Sequence, residues 1–238
     1  MNQEKQENYV CVDLETTGLN PKTDKIIEIG AVRVENGVRT AVFETFVNPA
    51  CILPPKITEL TGITDEELKG APEIADVLPD FVSFLREDVL LGHSVLFDYS
   101  FIKKAAVNNR IKFERMGIDT LKIARRFLPE LESRSLDFLC GYYAIPHKAH
   151  RALADAEATC LLYDRLWESF GNGEDTAAFA PVALQYQAKR ETPATPAQKE
   201  RLYKLITKHK IVVEYELEKL TRSEASRYTD RILAKYGR

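Results

Sequence analysis

"VCVDLETTGLNP", residues 10–21, ends an alternating, β-branched run with two carboxylates, Asp13 and Glu15, just before a Thr-Thr-Gly turn. Residues two apart on a strand project from one face. Both acids therefore point the same way, with Tyr9 and Cys11 continuing that face behind them. Like charges this close repel, and each raises the other's pKa unless a cation intervenes. A hard divalent ion, Mg²⁺ or Mn²⁺, prefers carboxylate oxygen. Two solvated acids at an exposed strand end would be spelled the same way, so the pair alone does not decide.

Outward from this strand, "KIIEIGAVRVENG" reads as a second strand closing on an Asn-Gly turn, and "TAVFETFVNP" as a third. "PKITELTGITDEELKGAP" holds two short helical pieces, with Thr64 and Glu67 spaced as a capping box. "EIADVLPDFVSFLRE" has helical spacing and a possible bend at Pro79, and "DVLLGH" is a short apolar strand. Next come a helix in "LFDYSFIKKAAVNNR", a strand in "FERMGIDT", and helices in "LKIARRFLPEL", "SLDFLCGYYA" (able to end at Gly141) and "HRALADAEATCLLYDRLWESF". Strands first, then strands alternating with helices, predict an α/β domain with a mixed sheet.

The 238 residues suffice for one good-sized domain and an appendage, and 45% apolar with 29% charged residues is ordinary for a globular protein. No apolar run reaches the length of a membrane span, and the polar start "MNQEKQEN" carries no secretory pattern. Cys11, Cys51, Cys140 and Cys160 lie far apart without a C-x-x-C pair, which predicts reduced core cysteines and fits a cytoplasmic location. From Ala183 to Arg238 there are 13 Lys/Arg against 7 Asp/Glu, a net +6. The preceding residues then carry −9 of the chain's total of −3. An acidic body with a basic tail suits a polyanionic partner.

Two further segments carry acids at chemically useful places. In "VLLGHSVLFDYSFI", Asp98 stands at a helix start just beyond a buried strand, where α/β sites gather, although a first-turn acid also simply satisfies free N–H groups. His93 in the same turn reads as structural. In "HRALADAEAT", His150 and Asp155 are five apart, about 140° around an ideal helix. They reach one site if His150 stands in the preceding loop and Asp155 points inward from the helix's second turn. Four carboxylates and a histidine at strand ends and helix starts fit a two-metal centre for phosphodiester hydrolysis.

"VDLETTGL", "GHSVLFDYSFI" and "HRALADAEAT" resemble, in order, the three motifs of the DEDDh (DnaQ-like) 3′→5′ exonuclease superfamily, which includes the proofreading epsilon subunit of bacterial DNA polymerase III. "ITELTGITDEEL" resembles the segment that these proteins carry between the first two motifs. The resemblance spans roughly residues 7–170. It implies a ribonuclease H-like mixed sheet flanked by helices, with Asp13, Glu15, Asp98 and Asp155 holding two divalent ions, Mg²⁺ or Mn²⁺. It also implies that His150 is the general base that deprotonates the attacking water. The implied reaction releases nucleoside 5′-monophosphates from 3′ ends. By position, Thr16, Thr17, Gly18 and Leu19 resemble the loop that receives the terminal nucleotide, with Leu19 as an apolar wedge and Phe97 lining the same pocket. Ser94 departs from the pattern, since many relatives have Asn there.

The expected organisation is an exonuclease domain over 7–170, a linker over 171–198 rich in Thr-Pro steps, and a small basic helical module over 199–238. In the last, Thr221 and Glu224 are spaced as a capping box. Its basic, aromatic-dotted helices, with Tyr203, Lys204, Lys208, Lys210, Arg227, Tyr228 and Arg231, suit either a single strand or an exposed helix face. The expected partners are nucleic-acid 3′ ends, single-stranded or frayed, with DNA favoured over RNA, and a DNA polymerase is a candidate. The competing readings are a non-catalytic module that holds nucleic-acid ends or a polymerase, and an RNA-trimming exoribonuclease.

Overall fold

A computed structural model describes residues 4–173, 175–213 and 215–237. Strand β1 (Tyr9–Thr16) is central, and its period-two pattern feeds two cores: Val10, Val12 and Leu14 enter one, Tyr9 and Cys11 the other. Strand β2 (Ile26–Glu35) runs antiparallel to β1, and β3 (Val38–Phe46) antiparallel to β2. Asn36 and Gly37 join these last two with φ of 53° and 73°, the left-handed backbone that a two-residue hairpin requires.

Helices α1 (Pro55–Thr61) and α2 (Asp65–Lys69) follow, and Thr64 and Glu67 form the expected capping box. Helix α3 (Ile74–Leu85) accommodates Pro79 within it. Strands β4 (Val89–Gly92) and β5 (Met116–Asp119) then add in parallel beside β1, separated by α4 (Val95–Asn108). Helices α5 (Thr120–Phe127), α6 (Leu136–Tyr142) and α7 (Ala152–Phe170) complete the layer arrangement. Helices α3 and α4 cover the face of Val10 and Leu14, while α5, α6 and α7 cover the face of Tyr9 and Cys11. The ribonuclease H-like mixed sheet flanked by helices is thus present, in the order β3-β2-β1-β4-β5-β6.

The last strand corrects an expectation. Residues 171–198 read as linker, yet they hold a 3₁₀ turn (Thr176–Phe179) and β6 (Val182–Ala183), which pairs with β5. Leu184 packs so closely on the sheet that a Cβ on Gly117 would meet it at 2.7 Å. Helix α6 also runs through Gly141 to Tyr142 rather than ending there. None of the four cysteines is in a disulfide, and Cys11, Cys140 and Cys160 are buried. Among the described residues no helix is long and apolar enough to cross a membrane.

The chain forms two compact units, one of Met1–Pro49 with Leu53–Ala188, the other of Ala50–Ile52 with Lys189–Arg238. The second contains α8 (Pro196–His209) and α9 (Arg222–Tyr236) around Ala194, Leu202, Leu220, Ala225 and Ile232. Thr221 and Glu224 form the expected capping box, and Thr195 with Gln198 forms another.

One close approach fixes the position of α7. A Cβ on Gly30 of β2 would lie 2.1 Å from the backbone of Ala152 and Leu153, so the first turn of α7 rests directly on the strand. Gly30→Ala must push that turn away, and overpacking of this kind should cost about 2–3 kcal/mol of unfolding free energy in urea denaturation. Gly70→Ala is the control, since a Cβ there meets nothing within 4 Å. It should stay within about 0.5 kcal/mol of the parent.

Candidate active site

Beyond Cys11, β1 loses its β4 partner, and its pairing with β2 slips between Glu15 and Thr16. The candidate site begins there. On the face covered by α7, Asp13 lies opposite Gly30 and Glu15 opposite Glu28. Directly opposed like charges destabilise a sheet, and a cation from α7's entry offsets them. Arg151 Nη2 donates to Glu28 Oε1 at 2.8 Å and its Nε at 3.1 Å. Glu28, only 1% exposed, also accepts the Ala152 N–H at 3.1 Å. Arg151 occupies the N-cap position of α7 without a side-chain cap, so Glu28 caps the helix from across the sheet.

His150 stands in the loop before α7, as expected, with a left-handed φ of 65°. Asp155 falls in the first helical turn rather than the second, and its Oδ2 accepts the His150 N–H at 3.1 Å. Ligand atoms of Glu15, His150 and Asp155 all lie within 4.8 Å of one another. Asp98 arrives from the opposite face, in the first turn of α4, and its Oδ1 accepts the Leu14 N–H at 3.1 Å. That bond holds a carboxylate only 3% exposed against the strand residue between Asp13 and Glu15.

Electrostatics couple the groups to one another. Burial raises Asp13 far above the carboxylate range, and Asp98, Asp155 and Glu15 add to the shift. Burial likewise raises Asp98, opposed by backbone N–H donors, its own and that of Leu14. Glu15 is pushed up to about 8 by burial and then by Asp155 and Glu28, with Arg151 acting against them. Asp155 is raised by burial although His147 and His150 pull it down. The donor set is hard oxygen with a surplus of negative charge, which suits divalent cations such as Mg²⁺ or Mn²⁺.

His147 escaped the sequence reading. Its Nε2 is hydrogen-bonded to Asp155 Oδ1, and its Nδ1 lies 2.9 Å from Asp137 Oδ1. A loop histidine ten residues after one partner and eight before the other fits no helical or strand period. His93, by contrast, is structural as expected. Its Nε2 donates to the Arg134 carbonyl at 2.8 Å, its Nδ1 lies 2.9 Å from Thr120 Oγ1, and burial lowers its pKa. Ser94 adopts φ of 76°, so the departure from Asn concerns backbone as well as reach, because Asn tolerates this region better.

The loop after β1 is self-bonded. Thr16 Oγ1 donates to the Gly18 carbonyl at 2.7 Å, and Thr17 Oγ1 accepts the Lys25 N–H at 2.9 Å. A Cβ on Gly18 would meet Asp24 Oδ2 at 2.6 Å. Leu19 stands 84% exposed at the tip, and half-buried Phe97 packs on Phe101 with ring centroids 5.0 Å apart.

Residues 10–163 match the RNase_T exonuclease family model. The PolC-type DNA polymerase III of Oceanobacillus iheyensis is 36% identical over 242 residues, 96% of this chain but 17% of that protein. The chain thus spans under a fifth of that polymerase. The DNA polymerase III subunit epsilon of Aquifex aeolicus is 37% identical over 172 residues, 70% of this chain and 85% of that protein. Two solved structures share the fold. Exonuclease X in complex with 5′-overhanging duplex DNA gives a TM-score of 0.56 at 24% identity, over 71% of this chain and 97% of that one. The zinc-bound E. coli Exonuclease I complex with single-stranded DNA gives 0.64 at 21% identity, over 71% and 42%.

The raised acids set a pH dependence. Glu15 binds its proton more tightly folded than unfolded, so the stability it contributes is present below its ordinary value near 4.5 and lost as pH rises through about 8. In EDTA, the melting temperature should fall across that window. Saturating Mg²⁺ or Mn²⁺ should restore most of the loss at pH 8, as read by calorimetry, because a cation replaces the protons.

Proposed function

The chain belongs to the exonuclease family, and on that premise we propose that it is a metal-dependent 3′→5′ exonuclease that releases nucleoside 5′-monophosphates. The observation that carries this reading is the convergence of Glu15, His150 and Asp155, with ligand atoms within 4.8 Å, beside a buried Asp98 tied to β1. In this reading Asp13, Glu15, Asp98 and Asp155 hold two divalent ions, Mg²⁺ or Mn²⁺. When bound, such ions ease deprotonation of the attacking water and steady the leaving 3′ oxygen.

The chain's own residues do the rest. His150 is the general base, since an imidazole can take the water's proton and release it again near neutral pH. Its own N–H is held by Asp155, which fixes the loop that carries the ring. The internal bonds of Thr16 and Thr17 hold the 16–19 loop in shape, leaving the Gly18 backbone to approach the terminal nucleotide. Leu19, exposed at the tip, wedges against the last base, and Phe97 lines the same pocket.

We assign catalysis to the larger compact unit, β6 included, and an accessory role to the basic module over 199–238. The favoured substrate is DNA, single-stranded or frayed, with a DNA polymerase as a candidate partner. Support comes from the names of the polymerase relatives and from the DNA in the Exonuclease X and Exonuclease I structures.

The decisive measurement uses matched 5′-labelled DNA and RNA oligomers with Mg²⁺ or Mn²⁺, following ladder shortening and mononucleotide release. EDTA and Asp13→Ala should abolish turnover, and His150→Ala should lower kcat by about 10²–10⁴-fold. Full activity of Asp13→Ala, or binding without turnover in either metal, would defeat the proposal. Faster degradation of RNA would redirect it to RNA trimming.

A further inference from the structure

We propose that His147 is a positioning residue for Asp155, braced from behind by Asp137, and that this relay sets the affinity of the site for its divalent ions. The inference rests on the reading above, in which Asp155 is a ligand. Three separate stretches meet here: Asp137 from the first turn of α6, His147 from the loop between helices, and Asp155 from the first turn of α7. The His147 side chain is 7% exposed, so the ring is enclosed rather than swinging in solvent. Each ring nitrogen faces a carboxylate oxygen, Nδ1 that of Asp137 at 2.9 Å and Nε2 that of Asp155. Each ring nitrogen thus has its own carboxylate partner, and the two contacts together fix the ring's rotation.

The consequence lies in Asp155. One of its oxygens is hydrogen-bonded to His147 Nε2, and the other accepts the His150 backbone N–H. Two donors from different directions leave the carboxylate a single orientation, with a lone pair on each oxygen still free for a cation. Losing the His147 donor would let the carboxylate turn about its own axis, held only by the backbone bond. Outer partners of this kind govern metal affinity because they pay in advance the ordering of the ligand. Asp137, whose side chain is 56% exposed, keeps the imidazole aimed without entering the site.

The test measures Mn²⁺ binding to the full chain by electron paramagnetic resonance, with melting in EDTA as the fold control and oligonucleotide degradation alongside. His147→Leu keeps volume without a donor. It should weaken Mn²⁺ binding by about 10–100-fold and lower kcat at limiting metal, while KM for the oligonucleotide at saturating metal stays near the parent's. His147→Gln, which returns an N–H near the Nε2 position, should recover most of the affinity. Asp137→Asn should give a smaller loss in the same direction. Parental affinity in a folded His147→Leu would overturn the proposal, as would equal losses in the Leu and Gln variants, since those would report packing alone. Should the Leu variant not fold, an Asp137→Ala protein with unchanged Mn²⁺ affinity overturns it equally. A parent chain that binds no Mn²⁺ would instead refute the exonuclease reading, and with it this inference.

Discussion

The candidate site depends on a backbone resting on a backbone. At Gly30 the sheet carries no side chain, and the first turn of α7 sits in the space where one would be. Glu28, two residues earlier on the same face, accepts the first helical N–H and binds the Arg151 guanidinium. The helix start is thereby fixed by steric contact, by a cap and by an ion pair. Because Asp13 lies opposite Gly30 and Glu15 opposite Glu28, this seating also sets where His150 and Asp155 arrive relative to the strand acids. A contact made through long side chains could not hold those distances as closely. Functional groups need placement to within a fraction of an ångström, and rigid elements supply it.

The same closeness is electrostatically costly. Asp13, Asp98, Asp155 and Glu15 are each raised above the ordinary carboxylate range, first by burial and then by neighbouring charges. Arg151 and the imidazoles of His147 and His150 answer them, and Arg151 is already engaged by Glu28. A chain optimised for stability alone would replace one of these acids with an apolar side chain. Their retention as a group, with backbone donors holding Asp98 and Asp155 in place, is the pattern of a site prepared for charge that arrives from outside.

Most elements were legible because local rules govern them, whereas the grouping of the acids was implied by the resemblance of three motifs and not by local rules. Period two placed Asp13 and Glu15 on one face, the Asn-Gly pair set the hairpin, and Thr64 with Glu67 and Thr221 with Glu224 announced helix starts. What stayed hidden was set at long range. Glu28 and Gly30 read as ordinary strand residues, and nothing in "IIEIGAV" says that a helix 122 residues later will land there. His147 has partners in two helices and no periodic relation to either. Strand β6 has two residues, too few to show a period, and exists because β5 offers it an edge. Left-handed backbone is uncommon at any single non-glycine position, so composition could not signal it at Ser94 or His150.

Asp98 explains why the site lies at this end of the sheet. A sheet separates its two faces, and a side chain from α4 cannot pass through hydrogen-bonded strands to meet one from α7. Strand β4, however, pairs with β1 only from Tyr9 to Cys11. Beyond Cys11 the edge of β1 that β4 has left still carries backbone donors, and a buried N–H without an acceptor is expensive. The chain leaves β4 at Gly92 and turns through Ser94 into α4, so the first side chains of that helix are the ones within reach of the exposed edge. Asp98 meets the need by accepting the Leu14 N–H. Having done so, it stands on the rim between faces, where Asp13 and Glu15 approach from the other side. Such crevices beyond the carboxyl ends of strands are where open α/β sheets bind ligands. Here the reason is specific: the early end of β4 opens the wall, and the donor it frees draws in the acid from the far face.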